Sequence, residues 1–423
     1  MNLLNLQLPK NHFHTLLPFA QNKAHNVYTN WHGTTSYENA CGIYTLTEED
    51  NTFVNSAPTP HKLIAYVDKF IDYYNIDILQ VAAPEMAYLH TYFKDKVLYI
   101  GPTKEAARLE TNKIFAKEIA NKVGVKTPAI IRQGKYTDSD YCSNLTFPTI
   151  EKPAYHWDSA INIFNEEDAQ AAIDWRTLLY DEHGDREYFI EEYIDDMIET
   201  NVFFVIANGE YRITHTQEII GENLNKTVKQ KVWYLDSYIK PLKPEVDTIV
   251  RKEADKYLKE ITKLGGSYEG SFCGAYTSTG EWYFLEINVR PDIYNSTPIF
   301  MTGEDYIKGM FEDISLFDKA WEHQSCDKYL CFNKDAQEEY PFHLHQKYDV
   351  SIPNNLELIN GKFFVHPPAR YTSEGDGVCT IVADHNIPTA FIEEVENTTT
   401  WTFNKDPINT QVCKLSYEYL NNE

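Results

Sequence analysis

"EWYFLEINVRP", residues 281–291, has the composition of a core strand with three polar residues near its end. Read at period two, Tyr283, Leu285, Ile287 and Val289 form one apolar row, and Trp282, Phe284, Glu286, Asn288 and Arg290 form the other. A carboxylate, an amide and a guanidinium therefore share one face. Side chains two apart on a strand point the same way, so Glu286 and Asn288 can offer oxygens to one hard cation such as Mg²⁺. Taken alone, the pair is equally a polar rim on a half-exposed strand.

Two upstream pieces give the strand its context. "FPTIEKP" (147–153) is an apolar strand closed by Lys152, a point charge suited to an anion. "EYFIEEYI" (187–194) is a strand carrying Glu191 and Glu192, followed by an extended segment whose main chain can meet a base edge. Each also reads as ordinary surface polarity by itself.

The rest of the chain alternates helix and strand. "HKLIAYVDKFIDYYNI" (61–76) has helical spacing, and "DILQVAA" and "KVLYIGPT" follow as short apolar strands. "KEAARLETNKIFAKEIANKVG" is one long amphipathic stretch with Phe115, Ile119 and Val123 on its buried stripe and Gly124 at the C-cap position. Hairpins are expected to turn at Asn208-Gly209 and near Thr279-Gly280. Between them a second long helix buries Val246, Val250, Tyr257, Ile261 and Leu264 and stops at a glycine pair. Beyond about residue 330 the pattern is mostly β, with candidates "KFFVHPP" and "GVCTIVAD".

Bulk properties narrow the partners. The 423 residues carry a formal charge of −25, are 43% hydrophobic, and contain no run of Lys and Arg of the kind that binds a nucleic-acid polymer. A local group of lysines still suffices for a phosphate on a small molecule. The seven cysteines are scattered and read as reduced thiols of a cytoplasmic protein. No apolar run is long enough to span a membrane and no secretion signal opens the chain. "HFH" (12–14) and "HLH" (343–345) lack an obvious third ligand, so ordinary histidines are favoured over a metal site.

Taken in order, a lysine-bearing helix, a strand ending in Lys-Pro, a Glu-Glu strand, a long helix and a Glu-x-Asn-x-Arg hairpin resemble the ATP-grasp superfamily. Within it, "IGPTKEAARLETNKIFAKEIANKVGVKTP" and "GSFCGAYTSTGEWYFLEINVRP" are most similar to the glycinamide ribonucleotide synthetases (phosphoribosylamine–glycine ligases) over about residues 78–300. The resemblance implies an α/β ATP-grasp fold. Residues 1–105 would form an N-terminal α/β pre-ATP-grasp domain. Residues 106–325 would form the ATP-grasp domain, with lobes at about 125–194 and 195–325, and 326–423 a mostly β domain. It further implies that Lys113 and Lys152 hold ATP phosphates, and that Glu191, Glu192, Tyr193 and Ile194 form the adenine hinge. Glu199 would take the ribose hydroxyls, Glu286 and Asn288 would bind Mg²⁺ (or Mn²⁺), and Arg290 would face the transferred phosphoryl group.

The implied activity is an ADP-forming ligase that joins a carboxylate to an amine through an acyl phosphate, in purine biosynthesis if the synthetase likeness extends to substrate. The expected assembly is a monomer or homodimer. Two departures keep alternatives open. The loop after Lys152, "AYHWDSAINIF", has no glycine and looks closer to the serine-bearing loop of D-alanine–D-alanine ligases, with Ser159 toward the γ-phosphate. Residues 1–35 hold a single glycine, Gly33, where the synthetases bind the phosphate of phosphoribosylamine. A ligase acting on another small amine is therefore one alternative, and an ATP-binding scaffold without turnover another.

Overall fold

The computed structural model describes residues 1–6, 26–29, 43–56, 58–155, 160–180, 186–221, 237–291, 303–318, 327–333, 364–365, 377–383, 393–394, 397–398 and 401–403. The N-terminal part is a parallel sheet of β1 (Asn2–Leu6), β2 (Asn26–Thr29), β3 (Ile43–Thr45), β4 (Ile78–Val81) and β5 (Leu98–Pro102), in the order β3-β2-β1-β4-β5. Helices α1 (Glu48–Asn55) and α2 (Pro60–Tyr74) accompany it. Proline opens α2, Leu63, Val67, Phe70 and Ile71 form its buried stripe, and Asn75 ends it in the left-handed region.

The amphipathic stretch after β5 is two helices rather than one. α3 (Lys104–Thr111) stops at Asn112, whose φ of −139° and ψ of 93° break the helix. The Asn112 side chain then accepts the Phe115 N–H at 3.0 Å and starts α4 (Lys113–Lys122). The break puts Lys113 at a helix start and rotates the buried face of α4 onto Lys113, Ala116, Lys117, Ile119 and Ala120. Phe115 and Val123 are only partly buried against the core.

A four-stranded antiparallel sheet follows: β6 (Ile130–Lys135), β7 (Thr149–Pro153), β8 (Ile161–Ile163) and β9 (Glu187–Glu192), in the order β6-β9-β7-β8. Helix α5 (Glu166–Tyr180) packs on it through Ala169 and Ala172, which meet Ile161, Ile163 and Ile190.

The large sheet is built on the hairpin β10 (Met197–Ala207) and β11 (Glu210–Gly221), which turns at Asn208 and Gly209, both at positive φ as the sequence predicts. It continues through β12 (Ser237–Pro241) on one side and β13 (Gly266–Thr277) with β14 (Trp282–Asn288) on the other. Further out lie β15 (Asp327–Asn333), β16 (Phe364–Val365), β17 (Gly377–Ala383) and β18 (Trp401–Phe403). Helix α6 (Pro244–Ile261) covers the opposite face with Val246, Val250, Ala254, Tyr257, Leu258 and Ile261. Helix α7 spans Gly303–Phe311.

β13 also touches β5, pairing Gly266 with Pro102 and Ser267 with Gly101. Gly266 has φ +101°, and a Cβ there would meet the Gly101 carbonyl oxygen at 2.8 Å, so only glycine permits this approach. The parallel sheet and the large sheet are thereby hydrogen-bonded into one surface.

The opening strand departs from strict alternation. Cys273 pairs with Glu286, but the next residue, Gly274, pairs with Phe284, so Leu285 is the extra residue of a β-bulge. The bulge turns Trp282 and Phe284 into the same core as Ile287 and Val289, instead of onto the face of Glu286. Period-two reading assigns them wrongly because a bulge shifts alternation by one residue. Glu286, Asn288 and Arg290 lie beyond it and still share a face.

Candidate functional site

Three lysines and three carboxylates converge where α4, the small sheet and the floor of the large sheet meet. Lys113 Nζ lies 3.6 Å from Glu286 Oε2. Lys152 and Lys117 both pair with Glu191, at 2.9 and 2.7 Å, and all three of these side chains are at least 95% buried. Burial acts against the charge of Lys152, but Glu191 and Glu286 outweigh it and raise its affinity for a proton. Burial likewise disfavours charge on Glu191, yet the two lysines hold its carboxyl below the usual range. Lys117 is pushed down to about 8, first by burial and also by Lys152, with Glu191 opposing.

The family resemblance implies that Glu191 lies in a base-binding hinge. Its carboxylate instead points inward between two lysines, which leaves the main chain of the segment as the part able to meet a base. Glu192, Tyr193 and Ile194 are half-buried beside it, and the Glu192 N–H is already donated to the Ala129 carbonyl at 3.0 Å.

Strand register sets the floor. Side chains directly opposite on adjacent strands share a face, and strands lie about 4.8 Å apart. Asn201 on β10 stands opposite Gln217 on β11 and Cys273 on β13, and Cys273 stands opposite Glu286 on β14. One row thus runs Gln217–Asn201–Cys273–Glu286. The next runs His215–Phe203–Ser271–Asn288. Within the rows Cys273 Sγ donates to Asn201 Oδ1 at 3.0 Å, and His215 stacks on Phe203 with ring centres 4.1 Å apart.

Glu199, near the start of β10, is one level above Asn201 and opposite Ala275. Its carboxyl is pushed up to about 7, chiefly by burial and then by the like charge of Glu286, while Lys152 pulls the other way. Arg290 donates through Nε to Glu110 Oε1 at 2.8 Å, and its Nη2 lies 3.4 Å from Asn288 Oδ1.

The structure therefore brings together Lys113, Lys152, Glu191, Glu199, Glu286, Asn288 and Arg290. Ser159 and its neighbours His156, Trp157 and Asp158 lie outside the described residues, as do both histidine pairs. Sequence reading missed Glu110, Lys117, Asn201, Cys273 and Gln217. Lys117 had a signal, since it follows Lys113 by four residues and so shares its helical face. The others depend on pairings across strands and helices far apart in the chain.

The donor set suits a hard divalent cation. Glu286 and Asn288 give a carboxylate and an amide oxygen on one face, and Mg²⁺ commonly takes one or two protein oxygens, completing its shell with phosphate and water. Among the described residues, no group of three or more His, Cys, Asp or Glu is placed to hold a metal by itself. No described helix is long and apolar enough to cross a membrane.

No protein-family model and no curated protein matches the sequence. Solved structures do. A biotin carboxylase from Campylobacter jejuni in complex with β,γ-ATP aligns over 100% of this chain and 98% of its own, with a TM-score of 0.61 at 14% identity. An L-amino acid ligase from Bacillus licheniformis aligns over 95% of this chain and 98% of its own, with a TM-score of 0.60 at 13% identity. The chain has the ATP-grasp fold. A pyruvate carboxylase from Rhizobium etli also aligns, with a TM-score of 0.64 at 13% identity over 94% of this chain, which spans 37% of that longer protein. Here the four-stranded sheet is termed the small lobe, and the sheet that carries the Gln217-to-Glu286 floor the large lobe.

Proposed function

We propose that this chain is an ATP-dependent ligase that joins a carboxylate to an amine through an acyl phosphate. The observation that carries the reading is the convergence of Lys113 and Lys152 on the face that presents Glu286 and Asn288. Near the site, Lys113, Lys117 and Lys152 stand against Glu191, Glu199 and Glu286, so a chain of net charge −25 is locally balanced here, and its lysines are available to phosphate charges.

In this reading Lys113 and Lys152 grip the phosphates of ATP, and the main chain of Glu191–Ile194 meets adenine beside Glu192. Glu199 receives the ribose hydroxyls. Glu286 and Asn288 would hold Mg²⁺, which supplies charge neutralisation for phosphoryl transfer. A carboxylate oxygen of the substrate attacks the γ-phosphorus, and the bond to the ADP oxygen breaks. The amine then attacks the acyl carbon, inorganic phosphate leaves with its oxygen, and the amine gives up a proton. Arg290, fixed by Glu110, stands beside the phosphoryl oxygens as charge builds on them. Ser159 is proposed as a hydroxyl donor to the γ-phosphate. No side chain needs to react covalently; positioning carries the rate.

The neighbours named as ligase and carboxylase support this reaction class. The finer reading, union of glycine with phosphoribosylamine, follows the likeness of the linker and hairpin segments to the synthetases. The test is ADP release with Mg-ATP across amino acids and amines, with that pair included and product mass measured. ADP formation that needs both a carboxylate and an amine is expected. ATP binding without ADP release for any pair would replace the ligase with an ATP-binding scaffold.

A further inference from the structure

Gln217 lies in the large-lobe floor, and its side-chain oxygen makes no bond that holds the fold among the described residues. Its side chain is 3% exposed, and among the described residues its Oε1 has no hydrogen-bond partner. A buried acceptor left unmet carries an uncompensated desolvation cost, so the position is poor as a structural choice. Its neighbours in the row do not relieve it. Pro241, opposite on β12, is a residue type with no side-chain donor, and among the described residues no bond from the Asn201 amide N–H reaches the Gln217 oxygen.

Its place on the floor says what it faces. Moving along β10 from the Glu191–Ile194 segment, Glu199 comes first, then Asn201, then Phe203. Asn201 is level with Glu286 and Phe203 with Asn288, so these two rows mark the height of the phosphoryl group in the ligase reading. Gln217 is at that same height, three strand spacings or roughly 14 Å across the sheet from Glu286. His215 stands beside it at the Asn288 level. In the ligase reading, nucleotide that runs from the hinge past Glu199 to the metal-binding edge leaves the β11 side of the floor, below Glu199, to another molecule.

We propose that Gln217 is a specificity-determining residue whose Oε1 accepts a hydrogen bond from an amino or hydroxyl group of the second substrate. The proposal rests on the ligase reading. Its chemistry is a neutral amide acceptor in a dry setting, which rewards an N–H or O–H and penalises a substrate that lacks one. Asn201 and Cys273 form the polar path between this anchor and the phosphoryl position.

The experiment uses the full chain, Mg-ATP, and a panel of α-amino acids and amines run beside the corresponding α-hydroxy acids. For the responding pair, Gln217→Leu is expected to raise KM for the second substrate about tenfold, the worth of one hydrogen bond. KM for ATP should stay within about twofold, since Gln217 does not meet the nucleotide. Gln217→Glu keeps an acceptor and should restore most of the loss. Gln217→Met, closer in shape, stands in if the leucine variant melts early. An effect confined to the amino series assigns the donor to N–H, and one confined to the hydroxy series assigns it to O–H. Unchanged KM for the second substrate, or a rise in KM for ATP alone, overturns the inference while leaving the ligase intact. No ADP from the unsubstituted chain with any pair overturns the ligase reading first.

Discussion

Glu110 on α3 clasps Arg290 across 180 residues of sequence. One carboxylate oxygen accepts from the guanidinium Nε, and the other accepts the Val289 N–H, both at 2.8 Å. Burial pushes the Glu110 carboxyl up, and Arg290 offsets part of that effect. Glu110→Gln keeps the shape but removes the charge that orients the guanidinium. It is expected to cost about 2 kcal/mol in urea unfolding and to lower ADP release about tenfold or more. Full activity in Glu110→Gln would remove Arg290 from the proposed site.

Glu191 is the only described carboxylate pairing with both Lys117 and Lys152. Removing one partner of a buried charge cluster leaves the rest uncompensated and costs about 3–5 kcal/mol. Glu191→Gln should therefore lower the midpoint of chemical denaturation before any question of catalysis arises.

Lys117 gives this cluster a pH signature. Its charged form is disfavoured in the fold, with a pKa of about 8 against an ordinary 10.5. The depressed value means that its contribution is most favourable above about 10.5 and is lost as pH falls through about 8. Stability measured by denaturant should decline over that window, and Lys117→Met should flatten the decline.

Glu199 behaves in the opposite sense. Its pKa is raised from 4.5 to about 7, so its contribution is fully present below about 4.5 and is lost as pH rises through about 7. Glu199→Gln should remove that fall in stability between the two values. An unchanged pH profile would place Glu199 away from the field of Glu286.

Glu286→Ala should weaken binding of Mn²⁺, a paramagnetic stand-in followed by electron spin resonance, by about tenfold or more. Lys152→Ala should lower ADP release by about 10²–10³. Unaltered Mn²⁺ affinity in Glu286→Ala would move the metal elsewhere.

Much of this arrangement is legible in local sequence. Asn208-Gly209 and Gly280 specify their hairpins because each turn needs positive φ. The apolar spacing of α6 and α2 predicts their buried stripes. The polar face of Glu286, Asn288 and Arg290 is visible at period two. What escapes is non-local or irregular. Leu285 carries no mark of a bulge, so Trp282 and Phe284 are assigned to the wrong face. Asn112 reads as a helix residue until its capping bond is seen. Lys117 and Glu110 resemble solvent-facing helix charges, and only their partners on β9 and after β14 reveal them as buried. Gln217 acquires meaning from register alone.

The close approach of Gly101 and Gly266 has a mechanical consequence. It makes the N-terminal sheet and the large lobe a single stator, because their backbones are stitched together where a side chain would hold them apart. Among the described residues the small sheet shares no strand pairing with that stator. It is joined through Lys117 on the linker helix to Glu191 and Lys152 on its own strands. In the ligase reading, a closing stroke over the nucleotide would fall to the small sheet, with this charge cluster at its edge.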